Sequence, residues 1–194
     1  MIKLKDLLVN IILENTSFEN WFSGSKIVDA AGKPIRLYHG TNKLFTTFKV
    51  SKEGVLGKGI YLTPMSDRAS DYSINSAFGE KHKEGSHVMP LYASIKNPLI
   101  FHETNRNPSV DALVALGVER EKAINIVEKA FELKGNLTNQ IYSRAVAQGY
   151  DGIVMYRDNE LFEVVAFNPH QVKSIYNKTY TNYHPDLRKE ESEL

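Results

Sequence analysis

Residues 163–172 read Glu-Val-Val-Ala-Phe-Asn-Pro-His-Gln-Val (EVVAFNPHQV). The segment begins with the charged Glu163 and continues as an apolar predicted strand. Alternation along a strand places Glu163 and Val165 on one face and Val164 and Ala166 on the other. A buried carboxylate is costly unless it is paired or hydrogen-bonded. Glu163 is therefore expected either to face water at a strand edge or to line a cleft. In a cleft, it could hydrogen-bond a ribose hydroxyl and stabilise positive charge on a sugar ring.

A second segment places a histidine at the end of a predicted strand, directly before a glycine. Residues 35–39 (IRLYH) have the composition of a strand and run into Gly40 and Thr41. His39 offers a ring donor in this place, and the glycine allows a ligand close access to the backbone N–H and C=O groups. The alternative is a core histidine before a turn, and this segment by itself favours that alternative.

A third segment, residues 57–63, reads Gly-Lys-Gly-Ile-Tyr-Leu-Thr (GKGIYLT). It lacks the full dinucleotide-binding and P-loop patterns, so Gly57 and Gly59 by themselves predict only a tight turn that enters a strand. Tyr61 lies in that strand, and Tyr72 lies on the helix predicted to follow it. Two tyrosines so placed could hold a flat ring between them, although two core tyrosines fit the pattern equally well.

The composition predicts a soluble chain without metal or disulfide chemistry. Of its 194 residues 42% are hydrophobic, and 24 basic against 23 acidic residues give a formal net charge of +1. This small charge creates no general field for nucleic acid, although a local patch would still allow a nucleic acid substrate. Cysteine is absent, which excludes thiolate sites and fits an intracellular, cytoplasmic protein. The six histidines form no zinc pattern, and no apolar run reaches the ~20 residues of a membrane span.

Turn and periodicity signals predict a single α+β domain over residues 1–180, with short, mostly antiparallel strands and helices to one side. Residues 1–16 are expected to form an amphipathic helix, and residues 181–194 a mobile charged tail. Asn97 and Pro98 are interpreted as the stop after the fourth strand. Predicted helices cover residues 3–14, 66–78, 110–134 (interrupted near Gly117) and 138–148. Predicted strands cover residues 25–29, 35–39, 60–63, 89–95, 152–156, 162–167 and 172–176.

Together and in this order, the three segments resemble the ADP-ribosyltransferases of the His-Tyr-Glu class, which includes the poly(ADP-ribose) polymerases and diphtheria toxin. The resemblance rests on YHGT, on GKGIYLT with Tyr72 eleven residues beyond Tyr61, and on EVVAFNPHQV. The chain is still more similar to the ADP-ribosyltransferase domains of phage-borne and mobile-element polyvalent proteins. That similarity adds the segments FENWFSGSKIVD (18–29), GKPIRLYHGT (32–41), IKNPL (95–99) and GYDGIV (149–154).

The resemblance implies a split, mostly antiparallel β-sandwich of the ADP-ribosyltransferase type. The helical segment predicted around residues 110–134 is not part of that minimal fold and is expected to be an insertion. Such a fold binds NAD⁺ as its substrate in the cleft between the two halves of the sandwich. The reaction requires no metal ion, because nicotinamide is a tolerable leaving group once the substrate is positioned. We therefore expect NAD and no metal at the site.

The family pattern also implies a role for each motif residue. His39 would bond the adenosine-side ribose, the Gly40 backbone would hold the nicotinamide amide, and Tyr61 and Tyr72 would stack on the nicotinamide ring. Glu163 would bond the 2′-OH of the nicotinamide ribose and stabilise the cation-like transition state. The expected catalytic residues are His39, Tyr61 and Glu163. The expected NAD-binding residues are His39, Gly40, Thr41, Gly59, Tyr61 and Tyr72.

Two departures from the family pattern stand beside these matches. Residues 42–56 form a shorter segment than the donor loop of the large polymerases. Ala69 stands where those enzymes often carry a serine that bonds the nicotinamide amide. Gln171 is a second candidate for the catalytic polar residue, but Glu163 opens the strand and aligns with the motif, whereas Gln171 follows Pro169 in a turn.

The expected activity is mono-ADP-ribosylation of a macromolecule, with a host protein as the expected acceptor. Hydrolysis of NAD⁺ by a toxin would use the same site with water as acceptor. A catalytically inactive module that binds NAD or ADP-ribose is the alternative without enzymatic activity. An immunity or antitoxin partner would fit either enzymatic alternative.

The residues just before Glu163 predict that the acceptor is not arginine. Arginine-modifying relatives carry a second glutamate two residues before the catalytic one, on the same strand face. Leu161 occupies that position here. Glu160 lies at an odd spacing, which would turn it to the opposite face unless a bulge intervenes.

Overall fold

A computed structural model describes residues 17–52, 54–74, 87–104, 106–132, 137–177, 180 and 185–187. The predicted helix within residues 1–16 lies outside the described residues. In the described part of the chain, no helix has both the length and the apolar character needed to cross a membrane.

The described strands form two sheets. The first has the order β1-β3-β7, and the second has the order β2-β6-β5-β4. All described pairs are antiparallel except β4 with β5, which is parallel. The prediction of an α+β fold with mostly antiparallel strands is therefore confirmed. The strand bounds are β1 Leu37–Thr41, β2 Ile60–Leu62, β3 His87–Ala93, β4 Pro98–His102, β5 Gly152–Arg157, β6 Glu160–Ala166 and β7 Val172–Ser174.

The helices connect and cover these sheets. Helix α1 includes residues 17–22, and α2 connects β2 to the segment before β3. The helical insertion predicted around residues 110–134 is present as two helices, because Gly117 (φ 84°) ends the first of them in the left-handed region. The remaining bounds are α2 Ser66–Ile74, α3 Pro108–Ala115, α4 Arg120–Glu132, α5 Leu137–Ala147 and a 3₁₀ turn at Pro169–Gln171.

Strand β6 divides the core into two clusters. Val165 packs in the cluster that includes residues of α3, α4 and α5, whereas Val164 and Ala166 pack in the cluster shared with β1 and β3. All three residues are fully buried. The alternation predicted for this strand is therefore confirmed. Glu163 belongs, by the same alternation, to the face that carries Val165.

One strand prediction was wrong, and one strand was not predicted. Residues 25–29 form no strand and contribute only an isolated bridge between Val28 and Pro34. The strand before Asn97 and Pro98 ends at Ala93, in keeping with the predicted stop, but no strand was predicted over β4, which begins at Pro98. A proline is tolerated there because β4 is an edge strand that pairs with β5 alone.

The segment predicted as a mobile tail is held to the domain where it is described. Asp186 forms a bridge with Thr47, and the Leu187 backbone N–H donates to the Thr46 carbonyl over 2.7 Å. The Leu187 side chain is completely buried in the cluster that contains Phe48. Residues 186 and 187 thus contact the domain, and the mobility expected for the remainder of the segment stays a prediction.

Candidate active site

The two sheets meet at β1 and β2 and then separate. The Tyr38 N–H donates to the Thr63 carbonyl over 2.7 Å, and the Thr63 N–H donates back to the Tyr38 carbonyl over 3.0 Å. Continued antiparallel pairing would place Gly40 opposite Tyr61, but β1 instead pairs with β3 and β2 with β6. Tyr38 and Gly40 direct their backbone groups to the same side of β1, away from β3. The N–H and C=O of Gly40 therefore face the gap between the sheets, which we call the notch.

The His39 ring lies beside the notch in a fixed orientation. Its Nδ1 lies 2.8 Å from the Tyr61 carbonyl oxygen, which only accepts, so Nδ1 carries the proton. The ring also packs edge-on against Phe48, with 4.9 Å between centroids. Burial lowers the pKa of His39, and the hydrogen bond to Tyr61 opposes this only in part. The ring is therefore neutral at pH 7, and its Nε2 is a hydrogen-bond acceptor.

The Tyr61 hydroxyl is bound to the loop that precedes β2. It donates to the Gly57 carbonyl over 2.6 Å and accepts from the Leu56 N–H over 3.0 Å. Burial, followed by the charge of Glu163, raises the pKa of Tyr61, so the hydroxyl stays protonated. Tyr61 thus offers its ring, and not its hydroxyl, to the surroundings of the notch.

Gly40 is required by helix packing as well as by the notch. A Cβ at this position would lie 1.7 Å from the carbonyl oxygen of Ala69 on α2, so only glycine allows the helix to approach β1. Thr41 uses its hydroxyl locally, where it accepts from the Lys43 N–H over 3.1 Å. Gly59 is required by packing against β6, because a Cβ there would lie 2.1 Å from Cγ1 of Val165. Gly40 alone of these three directs backbone groups at the notch.

Glu163 does not face water at a strand edge. Its residue is only 5% exposed, and it lies opposite Met155 of β5. Burial raises the pKa of Glu163 to about 7, against the opposing charges of Arg68 and Arg157. Glu163 and Tyr61 lie on the same face of neighbouring antiparallel strands, because Tyr61 is opposite Val165. The structure therefore brings together His39, Tyr61 and Glu163 along the edge where the sheets separate.

Arg68 is a site residue that the sequence motifs do not indicate. Its Nη2 lies 3.5 Å from Oε1 of Glu163 and 3.1 Å from the hydroxyl of Tyr72. Arg68 and Tyr72 are four residues apart on α2, a spacing that places both side chains on one helix face. That spacing is the signal available in the sequence, and only the packing of α2 shows that Glu163 completes the group.

A second arginine lies behind this pair. The guanidinium carbons of Arg68 and Arg157 lie 3.6 Å and 3.5 Å from the centroid of the Phe162 ring. Arg157 also forms an ion pair with Glu103, whose carboxylate is almost completely buried. The Arg157 charge is therefore matched by Glu103, and its aromatic contact fixes Phe162 beside Glu163.

Phe162 is the extra residue of a β-bulge. Strands β5 and β6 form a hairpin whose two turn residues, Asp158 (φ 52°) and Asn159 (φ 65°), adopt the left-handed conformation of a tight hairpin turn. The register shifts within this hairpin, so that two residues of β6 oppose one position of β5. The facing pairs are Arg157–Glu160, Tyr156–Leu161 and Met155–Glu163.

The bulge overturns the argument against an arginine acceptor. Arg157 and Met155 share a face of β5, so their partners Glu160 and Glu163 share a face of β6. Leu161 belongs to the opposite face and packs with the cluster of β1 and β3. The face expected for Leu161 was therefore wrong, and Glu160 shares the face of Glu163 through the bulge that the sequence prediction had left open. Glu160 is exposed at the hairpin end of the site.

Tyr72 and Gln171 are the two remaining candidates, and their exposure and hydrogen bonds show which of them belongs to the candidate site. Tyr72 is 53% exposed, so it is not a core tyrosine and its ring is accessible. The Gln171 amide donates to the Asp151 carbonyl over 2.9 Å and accepts from the Asn168 N–H over 2.8 Å. Gln171 therefore caps the 3₁₀ turn and takes no place in the candidate site. Within the described residues, no three His, Asp or Glu side chains lie close enough to hold a metal ion.

Comparison with known proteins gives one extensive match. The family model described as ADP-ribosyltransferase in polyvalent proteins matches residues 29–182, which include the whole candidate site. No curated protein is significantly similar to the chain. A solved structure titled as the crystal structure of an anti-CRISPR protein is 18% identical, with a TM-score of 0.31 over 68% of this chain and 88% of the other.

Proposed function

Because the chain belongs to the family of ADP-ribosyltransferases in polyvalent proteins, we propose that it cleaves NAD⁺ at the nicotinamide–ribose bond. It then transfers a single ADP-ribose to a macromolecular acceptor. A host protein is the acceptor we propose. The family indicates ADP-ribosyl transfer in general, and the site residues support these finer steps.

The buried carboxylate of Glu163 is the observation that carries the proposal. A carboxylate that is 5% exposed and has one contacting cation at 3.5 Å is an unfavourable structural element. It becomes useful where positive charge develops in a site from which water is excluded, because electrostatic interactions are stronger there. Loss of nicotinamide from NAD⁺ creates such a charge on the ribose.

The notch fits the remainder of the nicotinamide nucleotide. The N–H and C=O of Gly40, which make no backbone hydrogen bond across the notch among the described residues, match the carbonyl and the amino group of a carboxamide respectively. Tyr61 and the exposed ring of Tyr72 provide aromatic faces for the pyridine ring. The His39 ring is neutral, so its Nε2 can accept a hydrogen bond from a ribose hydroxyl.

The proposed reaction balances without a metal or redox partner. The bond between the pyridinium nitrogen and the ribose anomeric carbon breaks, and its electron pair leaves with nicotinamide, which becomes neutral. The anomeric carbon becomes cation-like opposite the Glu163 carboxylate. A nucleophile of the acceptor then forms a bond to that carbon and loses its proton to solvent. With water in place of the acceptor, the product is free ADP-ribose.

The test is an incubation with NAD⁺ that carries ³²P in its adenylate phosphate. The purified protein and its Glu163→Gln variant are compared, with and without host lysate. Labelled macromolecules that lose their label to protease, together with equimolar nicotinamide, support protein ADP-ribosylation. Label lost to nuclease identifies a nucleic acid acceptor, free ADP-ribose alone identifies a hydrolase, and no product from either protein contradicts enzymatic activity.

A further inference from the structure

Arg68 connects three groups of the candidate site through one guanidinium. Its Nη2 is 3.5 Å from Glu163 Oε1 and 3.1 Å from the Tyr72 hydroxyl. The guanidinium carbon also lies over the Phe162 ring, 3.6 Å from its centroid. The Arg68 side chain is 22% exposed and that of Glu163 is 6% exposed, so the pair is largely screened from water.

Glu163 has few other charged neighbours that could hold it. Arg157 of β5 acts on it electrostatically, but that guanidinium is paired with Glu103, whose own charge opposes ionisation of Glu163. Tyr61 of β2 lies on the same sheet face, and its hydroxyl stays protonated and bonded to residues 56 and 57. Among the described residues, the cation in contact with Glu163 is therefore Arg68.

We infer that Arg68 is the positioning residue of Glu163: its guanidinium orients the Glu163 side chain and holds it in the charged form that NAD⁺ cleavage needs. This inference rests on the proposed function. Arg68 needs no contact with the substrate for this role, because it acts through the carboxylate. The same guanidinium holds the Tyr72 hydroxyl, so the carboxylate and one aromatic wall of the notch are set together.

The contact with Arg68 offsets part of the effect of burial on the Glu163 carboxylate. Burial disfavours the carboxylate and raises its pKa to about 7, and Arg68 is the largest opposing influence. Removing one partner of a buried pair leaves the other charge uncompensated. Without Arg68, Glu163 should therefore take up a proton at a higher pH, and its carboxylate should no longer be fixed toward the notch.

The experiment measures the pKa of Glu163 directly, in the full chain. The protein is labelled with ¹³C at the glutamate carboxyl carbon, and the Glu163 signal is assigned by its loss in Glu163→Gln. Titrations are compared for the wild type and for Arg68→Gln, Arg68→Lys and Arg144→Gln. Arg144→Gln is the control for net charge, since Arg144 lies on α5 and bonds Gln140. Nicotinamide release is measured over the same pH range.

We expect Arg68→Gln to raise the Glu163 pKa by at least about one unit, while Arg68→Lys and Arg144→Gln stay near the wild type. A rise of one unit from about 7 lowers the charged fraction at pH 7 by about 5-fold. Nicotinamide release by Arg68→Gln should fall at least that much at pH 7 and recover above pH 9. If this variant does not fold, Arg68→Met provides the same neutral change with an unbranched side chain over Phe162.

An unchanged Glu163 pKa in Arg68→Gln overturns the inference, as does a loss of activity that is equal at every pH. These outcomes are distinguishable from failure of the proposed function. A wild-type protein that releases no nicotinamide contradicts the proposed reaction, whereas the carboxyl titration still decides whether Arg68 holds the charge of Glu163.

Discussion

A single buried carboxylate determines the chemistry that this site can perform. Glu163 lies in the apolar strand β6, where its ionised form is opposed by burial and supported by Arg68. Such a group persists in a protein when the charge has a use that offsets its effect on folding. The effect of the buried charge on folding is measured as a free energy of unfolding, and its role in the reaction is measured as a rate. The two can therefore be determined separately.

The stability of the Glu163→Gln variant should depend on pH in a defined direction. The folded-state pKa of about 7 lies above the ordinary 4.5, so the wild type loses stability as pH rises from about 4.5 to 7. The variant carries no ionisable group there and lacks this loss. We expect similar free energies of unfolding near pH 4.5 and a variant that is more stable by about 3 kcal/mol at pH 8. Urea denaturation at both pH values measures this, and a variant that is less stable at pH 8 contradicts it.

Replacement of Tyr72 by alanine should weaken NAD⁺ binding without affecting the fold. Its ring is 53% exposed, so little packing is lost, whereas an aromatic contact adds roughly 0.5–1.5 kcal/mol beyond burial. We expect Kd to rise about 2- to 10-fold by calorimetry, with an unchanged Tm. Tyr61→Ala should lower both affinity and Tm, since its hydroxyl holds residues 56 and 57. A Tyr72→Ala variant with reduced Tm and unchanged Kd would assign this tyrosine to packing.

Among individual site residues, the sequence predicts those that stand in motifs and does not predict those whose roles depend on packing. His39, Tyr61 and Glu163 stand in recognisable segments, and the structure brings them together. Arg68 has no motif of its own, because its role arises only where α2 packs beside β6. Glu160 shares the face of Glu163 because a bulge at Phe162 reverses the alternation, an outcome that the sequence allows but does not decide.

At the scale of elements, the contact between β1 and α2 builds the notch. Helix α2 lies so close to β1 that the Ala69 carbonyl fills the space a Cβ of residue 40 would need. This contact carries Arg68 and Tyr72 to the edge where the sheets separate. The helix was predictable from its periodicity, but its distance from β1 was not. Strand β4 was missed for a related reason, because a proline that stops a central strand is allowed at the start of an edge strand.

Gly40→Ala should therefore disturb the site through α2. The added methyl group would lie 1.7 Å from a backbone oxygen, and backbone cannot move aside as a flexible side chain does. We expect Tm to fall substantially, with a cost of roughly 1–3 kcal/mol or more for overpacking.

Gly32→Ala provides the matched control for Gly40→Ala. Gly32 has a φ of 77° and no atom within 4 Å of its would-be Cβ, so only backbone strain of about 1 kcal/mol is expected there. Equal losses of Tm in the two variants would contradict the close contact between β1 and α2.

At the scale of the whole molecule, the C-terminal segment closes one core. The Lys173 amino group donates to the Asp186 carbonyl over 2.9 Å, and Leu187 fills the cluster that includes Phe48. Phe48 in turn supports the His39 ring. Leu187 is thus connected to the site through Phe48, an arrangement that a charged, apolar-poor segment does not reveal.

Leu187→Ala should destabilise the whole domain. Removing a fully buried leucine side chain costs roughly 2–5 kcal/mol, because a cavity remains beside Phe48. We expect a clear fall in the urea midpoint. Leu44→Ala is the control, since Leu44 is 80% exposed and should leave the midpoint nearly unchanged. A midpoint for Leu187→Ala equal to that of the wild type would show that the segment is not anchored in solution.

In the function that we propose, Glu163 is the catalytic carboxylate of an enzyme that cleaves NAD⁺. The most direct measurement is nicotinamide release from NAD⁺ at pH 8 by the purified wild type and by Glu163→Gln, with circular dichroism to confirm that both are folded. We expect release by the wild type and at least a ~100-fold lower rate for the variant, the scale of one strong electrostatic contribution in catalysis. A folded Glu163→Gln variant that releases nicotinamide within a few-fold of the wild-type rate would contradict this role of Glu163.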